Sequence, residues 1–286
     1  MGYTEPVLST DYIFSGRLWR GDCSIEKYLH KGPGNYYLPV LRLSSDKFDG
    51  KTILLLDDQG KAAAAAEGGL AGQLVQKGYQ VIVPDLNGFG ELSGGYKKGD
   101  AMIHDVPLNI WYAGVLTQKS PLAVRVEEIK IIVDFIKHVP LSCEPRKGSP
   151  KATEAGERLL TAITCGTLSS DLLHSAVINR EFDQIALINP LISYQSIVQE
   201  RNYHPKFVMS APAGVIGKYD LSDLVTALYP LKICILNPVN SLDQRVDRTV
   251  FDQSYLDARK KYTVSQNFVV TLDEQNVFLK IEQWLE

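Results

Sequence analysis

The sequence predicts an α/β protein in three layers, α/β/α, with a mostly parallel central sheet and helices on both faces. Three observations carry this. Short continuous apolar runs recur, as strands buried on both faces require. Segments with a helical apolar period stand between them. The order strand-then-helix repeats across most of the 286 residues, which is the pattern of a covered parallel sheet.

The first 45 residues read as strands and turns leading into the sheet, and residues 36–286 as one domain built on it. Tyr36 to Leu43 alternates in part and follows the turn Gly32-Pro33-Gly34, so it reads as a strand entered from a tight turn. Lys51 to Leu56 is a buried central strand. Ala62 to Lys77, rich in Ala, Leu and Gln, reads as a helix that Gly78 stops. Tyr79 to Pro84 is the next buried strand. Together these make a strand–helix–strand unit, which implies parallel pairing through a right-handed crossover. Ala123 to His138 repeats apolar residues at Val126, Ile129, Val133 and Ile136, a helical period. Strands follow at Leu159–Ile163, Gln184–Ile188, Lys232–Leu236 and Phe268–Leu272, with helices at Ser170–Asn179 and Gln275–Leu285. Ser142 to Gly156, rich in Lys, Glu, Pro and Gly, reads as a solvated loop.

Composition excludes several classes. Apolar residues make up 45% and charged residues 22%, the balance of a packed globular chain. With 30 basic and 33 acidic residues the net charge is −3, and the short basic clusters Lys97-Lys98 and Arg259-Lys260-Lys261 are too small for the concentrated face that nucleic acid demands. Cys23, Cys143, Cys165 and Cys234 include no CxxC pair, and His30, His104, His138, His174 and His204 include no metal-ligand spacing. No metal and no cofactor is expected. No apolar run reaches the ~20 residues that cross a bilayer, so no membrane partner is expected. The first residues lack the basic and apolar regions of a signal peptide. That leaves a cytoplasmic protein, or a piece of a longer secreted or periplasmic chain.

In an open α/β sheet, ligands bind in the loops at the carboxyl ends of the strands. The first such loop is Asp57-Asp58-Gln59-Gly60-Lys61. Its backbone N–H groups, around Gly60 and Lys61, either serve an oxyanion or simply open the next helix. The second is Asp85-Leu86-Asn87-Gly88-Phe89-Gly90-Glu91. It lacks the third Gly of a dinucleotide fingerprint and resembles the Asp-x-x-Gly-x-Gly-Glu loop of α/β-hydrolases, whose usual role is structural. The resemblance widens through Gly60-Lys61-Ala62-Ala63, Trp111 to Leu116, Arg125 to Ile129 and Gly214 to Leu224. These segments, in this order, are similar to the bacterial acetyl xylan esterase group within the α/β-hydrolase superfamily, over roughly residues 36 to 285. They resemble a divergent branch found as a second hydrolase-like domain behind an active one. The resemblance implies an α/β-hydrolase fold and a setting in plant-polysaccharide breakdown.

It also implies where a catalytic triad would stand. The nucleophile pattern G-x-S-x-G marks a strand-to-helix turn. Laid on Ile163 to Ser170, it puts Gly166 at the nucleophile position. The acid position, in Pro238-Val239-Asn240, holds Asn240, which cannot stabilise an imidazolium by charge. The base would follow the last strand, near Asp273-Glu274, and no His occurs beyond His204. No triad is therefore intact. Fallback groups are Cys165 or Ser169 as nucleophile, His104 as base and Asp243 as acid.

Three functions remain open. One is a catalytically silent hydrolase-like domain, structural or binding, partnered by an active esterase domain on the same parent chain. The second is a working carbohydrate esterase with a rearranged site. The third is a cleft that holds a xylan-type oligosaccharide, with Trp111, Tyr112 and Tyr96 stacking on sugar rings.

Overall fold

The structure is a computed structural model that describes residues 2–95, 99–104, 106–138 and 159–286. The expected loop Ser142–Gly156, with Cys143, and the residues Tyr96, Lys97 and Lys98 lie outside the described residues.

The strands are β1 (Tyr12–Arg20), β2 (Cys23–Lys31), β3 (Tyr37–Ser45), β4 (Thr52–Asp57), β5 (Gln80–Pro84), β6 (Met102–Ile103), β7 (Val106–Pro107), β8 (Leu160–Cys165), β9 (Gln184–Ile188), β10 (Lys232–Leu236) and β11 (Phe268–Thr271). The helices are α1 (Lys61–Ala64), α2 (Leu70–Gln76), α3 (Asn109–Thr117), α4 (Pro121–His138), α5 (Leu168–Asn179), α6 (Tyr194–Gln199), α7 (Leu221–Ala227), α8 (Arg248–Ser254), α9 (Leu256–Lys261) and α10 (Val277–Leu285). A nine-stranded sheet runs β1-β2-β3-β5-β4-β8-β9-β10-β11, and β6 and β7 form a separate hairpin. β1, β2 and β3 are antiparallel to their neighbours; from β5 onward every pairing is parallel.

The central strands show why their sequences read as unbroken apolar runs. Leu54 and Leu56 of β4 point into one core cluster, while Ile53 and Leu55 point into the other. Ile185 and Leu187 of β9 share the first cluster, and Ala186 and Ile188 the second. Helices α4, α5 and α7 cover the first face; α1, α2 and α10 cover the second. Each fully buried Leu or Ile contributes roughly 1.5–3 kcal/mol through removal of apolar surface from water, so the double-sided strands anchor the sheet.

One expected helix differs. Ala62–Lys77 is two short helices, α1 and α2, separated at Gly68-Gly69. Ala favours helix, but two adjacent glycines carry the highest backbone-entropy cost of any ordinary residues and break it. The final helix begins at Val277 rather than Gln275, because Asn276 caps it by accepting from the Leu279 N–H. Among the described residues no helix is long and apolar enough to cross a membrane.

Candidate functional site at the carboxyl ends of the strands

The turn from β8 into α5 is a strand–helix elbow. Gly166 adopts φ +69°, a left-handed conformation that L side chains rarely take. Its N–H donates to Ile188 O at the end of β9 (2.8 Å), and its carbonyl accepts from Ser169 N–H (3.2 Å). In such an elbow the amide after the nucleophile position is an oxyanion donor. Here that amide is Thr167 N–H, and it already has an acceptor. It donates to Asp58 Oδ2 at 3.0 Å, and Thr167 Oγ1 donates to the same oxygen at 3.3 Å. A Cβ added to Gly166 would lie 1.9 Å from Asp58 Oδ2 and 2.5 Å from Asp58 Cγ. The Asp58 carboxylate thus fills the space above the elbow.

Strand register explains how it gets there. β4 and β8 run parallel, with Asp57 opposite Cys165. The residue just beyond each strand is Asp58 and Gly166, so the pairing sets Asp58 beside the elbow, where it meets Thr167 across 109 positions of sequence. The Gln59 side chain holds the other Asp58 oxygen at 3.1 Å. Burial raises the carboxyl of Asp57 above its ordinary range, and the neighbouring Asp58 charge adds to the shift.

The fallback groups are scattered. Cys165 packs against the core cluster of the α2 face. Burial first, then the charges of Asp57 and Asp58, push its thiol far up, so it stays protonated and non-nucleophilic. Ser169 is buried in α5, and its Oγ has no hydrogen-bond partner among the described residues. His104, exposed on the β6–β7 hairpin, stands beside His204 with ring centroids 5.9 Å apart. His204 is held below its ordinary pKa by burial and by Lys206. Asp243 forms an ion pair with Lys206 Nζ at 2.6 Å.

The acid and base positions are turns. Asn240 Oδ1 accepts from Leu242 N–H and Gln244 N–H, both at 3.0 Å, which closes the loop after β10. Asp273, at φ +55°, meets Arg245 Nη1 at 3.2 Å. Glu274 is tied through its backbone to Asn237, whose side chain accepts from Glu274 N–H (2.7 Å) and donates to Glu274 O (3.0 Å). His174 is internally satisfied: Nδ1 donates to Ser170 O at 2.7 Å, which leaves Nε2 to accept from Tyr219 Oη at 2.9 Å.

Gly60 and Lys61 belong to a second buried carboxylate cradle. Asp85 accepts from Lys61 N–H (2.7 Å), Lys61 Nζ (2.6 Å) and Glu91 N–H (2.9 Å). Lys61 Nζ also reaches Glu91 Oε1. At Gly90, φ +53°, a Cβ would lie 2.1 Å from Asp85 Oδ1, so the Gly-Phe-Gly turn needs that glycine to wrap the carboxylate. Trp111 lines a mainly apolar cleft of about 230 Å³ with Gly114, Val115, Gln118, Pro121 and Ala213. Tyr112 lies edge-to-face on Trp111 at 5.4 Å and is exposed.

Two features escaped the sequence. One is Asp58 itself, assigned there only to a loop. The other is a buried network under the Asn87 loop. Arg125 Nε pairs with Asp171 Oδ1 (2.7 Å), while Nη2 donates to Met209 O (2.7 Å) and Ser210 Oγ (3.1 Å). Beside it, Glu128 accepts from Tyr36 Oη (2.5 Å) and Asn87 N–H (2.8 Å), and burial raises its pKa to about 7. Among the described residues, no group of three or more His, Cys, Asp or Glu is placed to hold a metal ion.

The parallel sheet, the β8–α5 elbow and the loops gathered at the carboxyl ends of the strands make this an α/β-hydrolase fold. Its structural company is a set of carboxylic ester hydrolases. A candidate acetyl xylan esterase from Bacteroides fragilis is similar at TM-score 0.67 and 14% identity, covering 95% of this chain and 71% of that one. An acetyl xylan esterase from Paenibacillus sp. R4 is similar at TM-score 0.56 and 10% identity, over 96% of this chain and 86% of that one. A methylesterase is similar at TM-score 0.61 and 12% identity, over 98% of this chain; the chain spans 58% of that protein's length. No protein-family model matches the sequence, and no curated protein matches it.

Proposed function

We propose that this chain is a catalytically silent α/β-hydrolase domain of the acetyl xylan esterase type, with a structural or binding role in carbohydrate-ester metabolism beside an active esterase domain. The observation that carries the reading is the pairing of Gly166 with Asp58. Ester hydrolysis at an elbow needs an attacking oxygen or sulfur, and donors aimed at the negative charge that develops on the carbonyl oxygen. Gly166 provides no attacking atom. The Thr167 N–H is already given to a carboxylate, and a fixed negative charge beside the developing oxyanion raises the barrier rather than lowering it. No nucleophile–base hydrogen bond links Cys165, Ser169 or His104 among the described residues.

The second reading is an active carbohydrate esterase with a rearranged site. The esterase neighbours favour it, and it needs Ser169 or Cys165 to gain a base. Assays on acetylated xylan and on p-nitrophenyl acetate separate the two. Turnover at the buffer rate supports silence. Turnover above buffer that disappears in Ser169→Ala, Cys165→Ser or His104→Ala establishes the second reading and ends the first.

A further inference from the structure

The sheet ends on β1, and its outer edge has no strand neighbour among the described residues. Edge strands are ordinarily kept short, charged or bulged, because an open ladder invites another chain. β1 runs nine residues and leaves Tyr12, Ile13, Phe14, Leu18 and Trp19 exposed, Phe14 by 51%.

Its register with β2 shifts between Phe14 and Gly16, which leaves Ser15 as a bulge. Tyr12 and Phe14 lie opposite His30 and Tyr28, while Arg17 and Trp19 lie opposite Glu26 and Ser24. Tyr28 belongs to the α4-side core, so these four β1 residues share that face. Ile13 lies opposite Leu29 and Leu18 opposite Ile25, and Ile25 belongs to the α2-side core. The bulge therefore exchanges the faces of even and odd positions along β1, since side chains alternate strictly on each side of it. If two copies of β1 meet antiparallel about a dyad, like faces coincide only when the dyad falls between two residues.

We propose that β1 pairs in this way with β1 of a second copy, with the dyad between Ser15 and Gly16. Asp11 then faces the partner's Arg20, and Phe14 faces the partner's Arg17. Tyr12 faces the partner's Trp19, and Ile13 faces the partner's Leu18. That is an opposite-charge pair, a cation–aromatic pair, an aromatic pair and an aliphatic pair, each repeated by the dyad. The neighbouring face-matched registers are worse. Moving the dyad to lie between Gly16 and Arg17 sets Asp11 against the partner's Asp22, a like-charge contact. Moving it between Phe14 and Ser15 sets Asp11 against the partner's Leu18 and leaves Ile13 opposite a glycine. One register of a second copy thus gives Arg20, which also donates to Ala65 O, a carboxylate to face, leaves the Arg17–Glu26 ion pair in place, and covers the apolar side chains on both faces of the edge.

Sedimentation of the full chain across about 1 to 100 µM reads the association. The expected result is a concentration-dependent dimer, with Leu18→Lys raising its Kd about a hundredfold while the melting temperature of the dilute monomer is unchanged. Register is tested by crosslinking in a Cys23→Ser background. Ile13→Cys protein mixed with Leu18→Cys protein gives a covalent dimer under mild oxidation, and neither alone does. A monomer at every concentration overturns the proposal. So does crosslinking that is equal in mixed and unmixed samples.

Discussion

Replacing Gly166 with Ala tests whether Asp58 truly occupies the elbow. The substitution has two separable costs. A β-carbon at φ +69° is strained by about 1–2 kcal/mol. That carbon would also sit 1.9 Å from Asp58 Oδ2, so the carboxylate must leave and forfeit its hydrogen bond to Thr167 N–H. A hydrogen bond to a charged group is worth roughly 1.5–3 kcal/mol. Gly166→Ala alone should therefore cost about 2.5–5 kcal/mol. In an Asp58→Ala background only the backbone strain remains, about 1–2 kcal/mol. The two substitutions should be coupled by about 2 kcal/mol, well outside the roughly 0.5 kcal/mol scatter of independent sites. Urea unfolding of the four proteins, followed by circular dichroism, measures this. Additive costs would refute the reasoning, because they would mean that the carboxylate and the added carbon never compete for one space.

Three further outcomes follow from the buried polar groups. Glu128 titrates near neutrality, so its proton is bound more tightly in the folded chain than in the unfolded one. Its contribution is fully present below the ordinary value of 4.5 and is lost as pH rises through about 7. Gln can keep both partners, its Oε1 accepting from Asn87 N–H and its Nε2 donating to Tyr36 Oη, so Glu128→Gln should match the parent near pH 4.5 and exceed it at pH 8 by roughly 3 kcal/mol, at about 1.4 kcal/mol per pH unit across that gap. Parallel stability curves for the two proteins across that range would contradict this. Arg125→Ala strands the fully buried Asp171 carboxylate and should lower stability by about 3–5 kcal/mol in denaturant titration; a loss below 1 kcal/mol would contradict the network. Cys165→Ser should leave any ester turnover unchanged, as measured with p-nitrophenyl acetate, because the thiol is protonated and packed into the core.

The sequence was most legible where one physical demand dominates. Gln184–Ile188 and Lys232–Leu236 have the same bounds as β9 and β10, because a strand buried on both faces is apolar at each position after its first, here Ile185 to Ile188 and Ile233 to Leu236. β1 and β2 were not separable as strands. β1 is exposed along nearly its whole length, so it carries no alternation to read. The break at Gly68-Gly69 was hidden by the strong helical propensity of the alanines before it. At the site, Gly166 stood out because a strand-to-helix turn is a local pattern. Asp58 did not, because its position depends on the register of β4 against β8, and single-sequence periodicity carries no register information. The Arg125–Asp171 pair was invisible for a related reason. Charged residues read as solvated unless the fold brings a partner, and this partner comes from α5, 46 positions away.

The central claim is that no side chain at this elbow is activated to attack a carbonyl or phosphoryl centre. Intact-mass spectrometry after incubation with an alkyl fluorophosphonate tests it directly, because an activated serine is labelled whatever its natural substrate. The account predicts an unchanged mass for the protein. A single adduct that maps to Ser169 and vanishes in Ser169→Ala would contradict it.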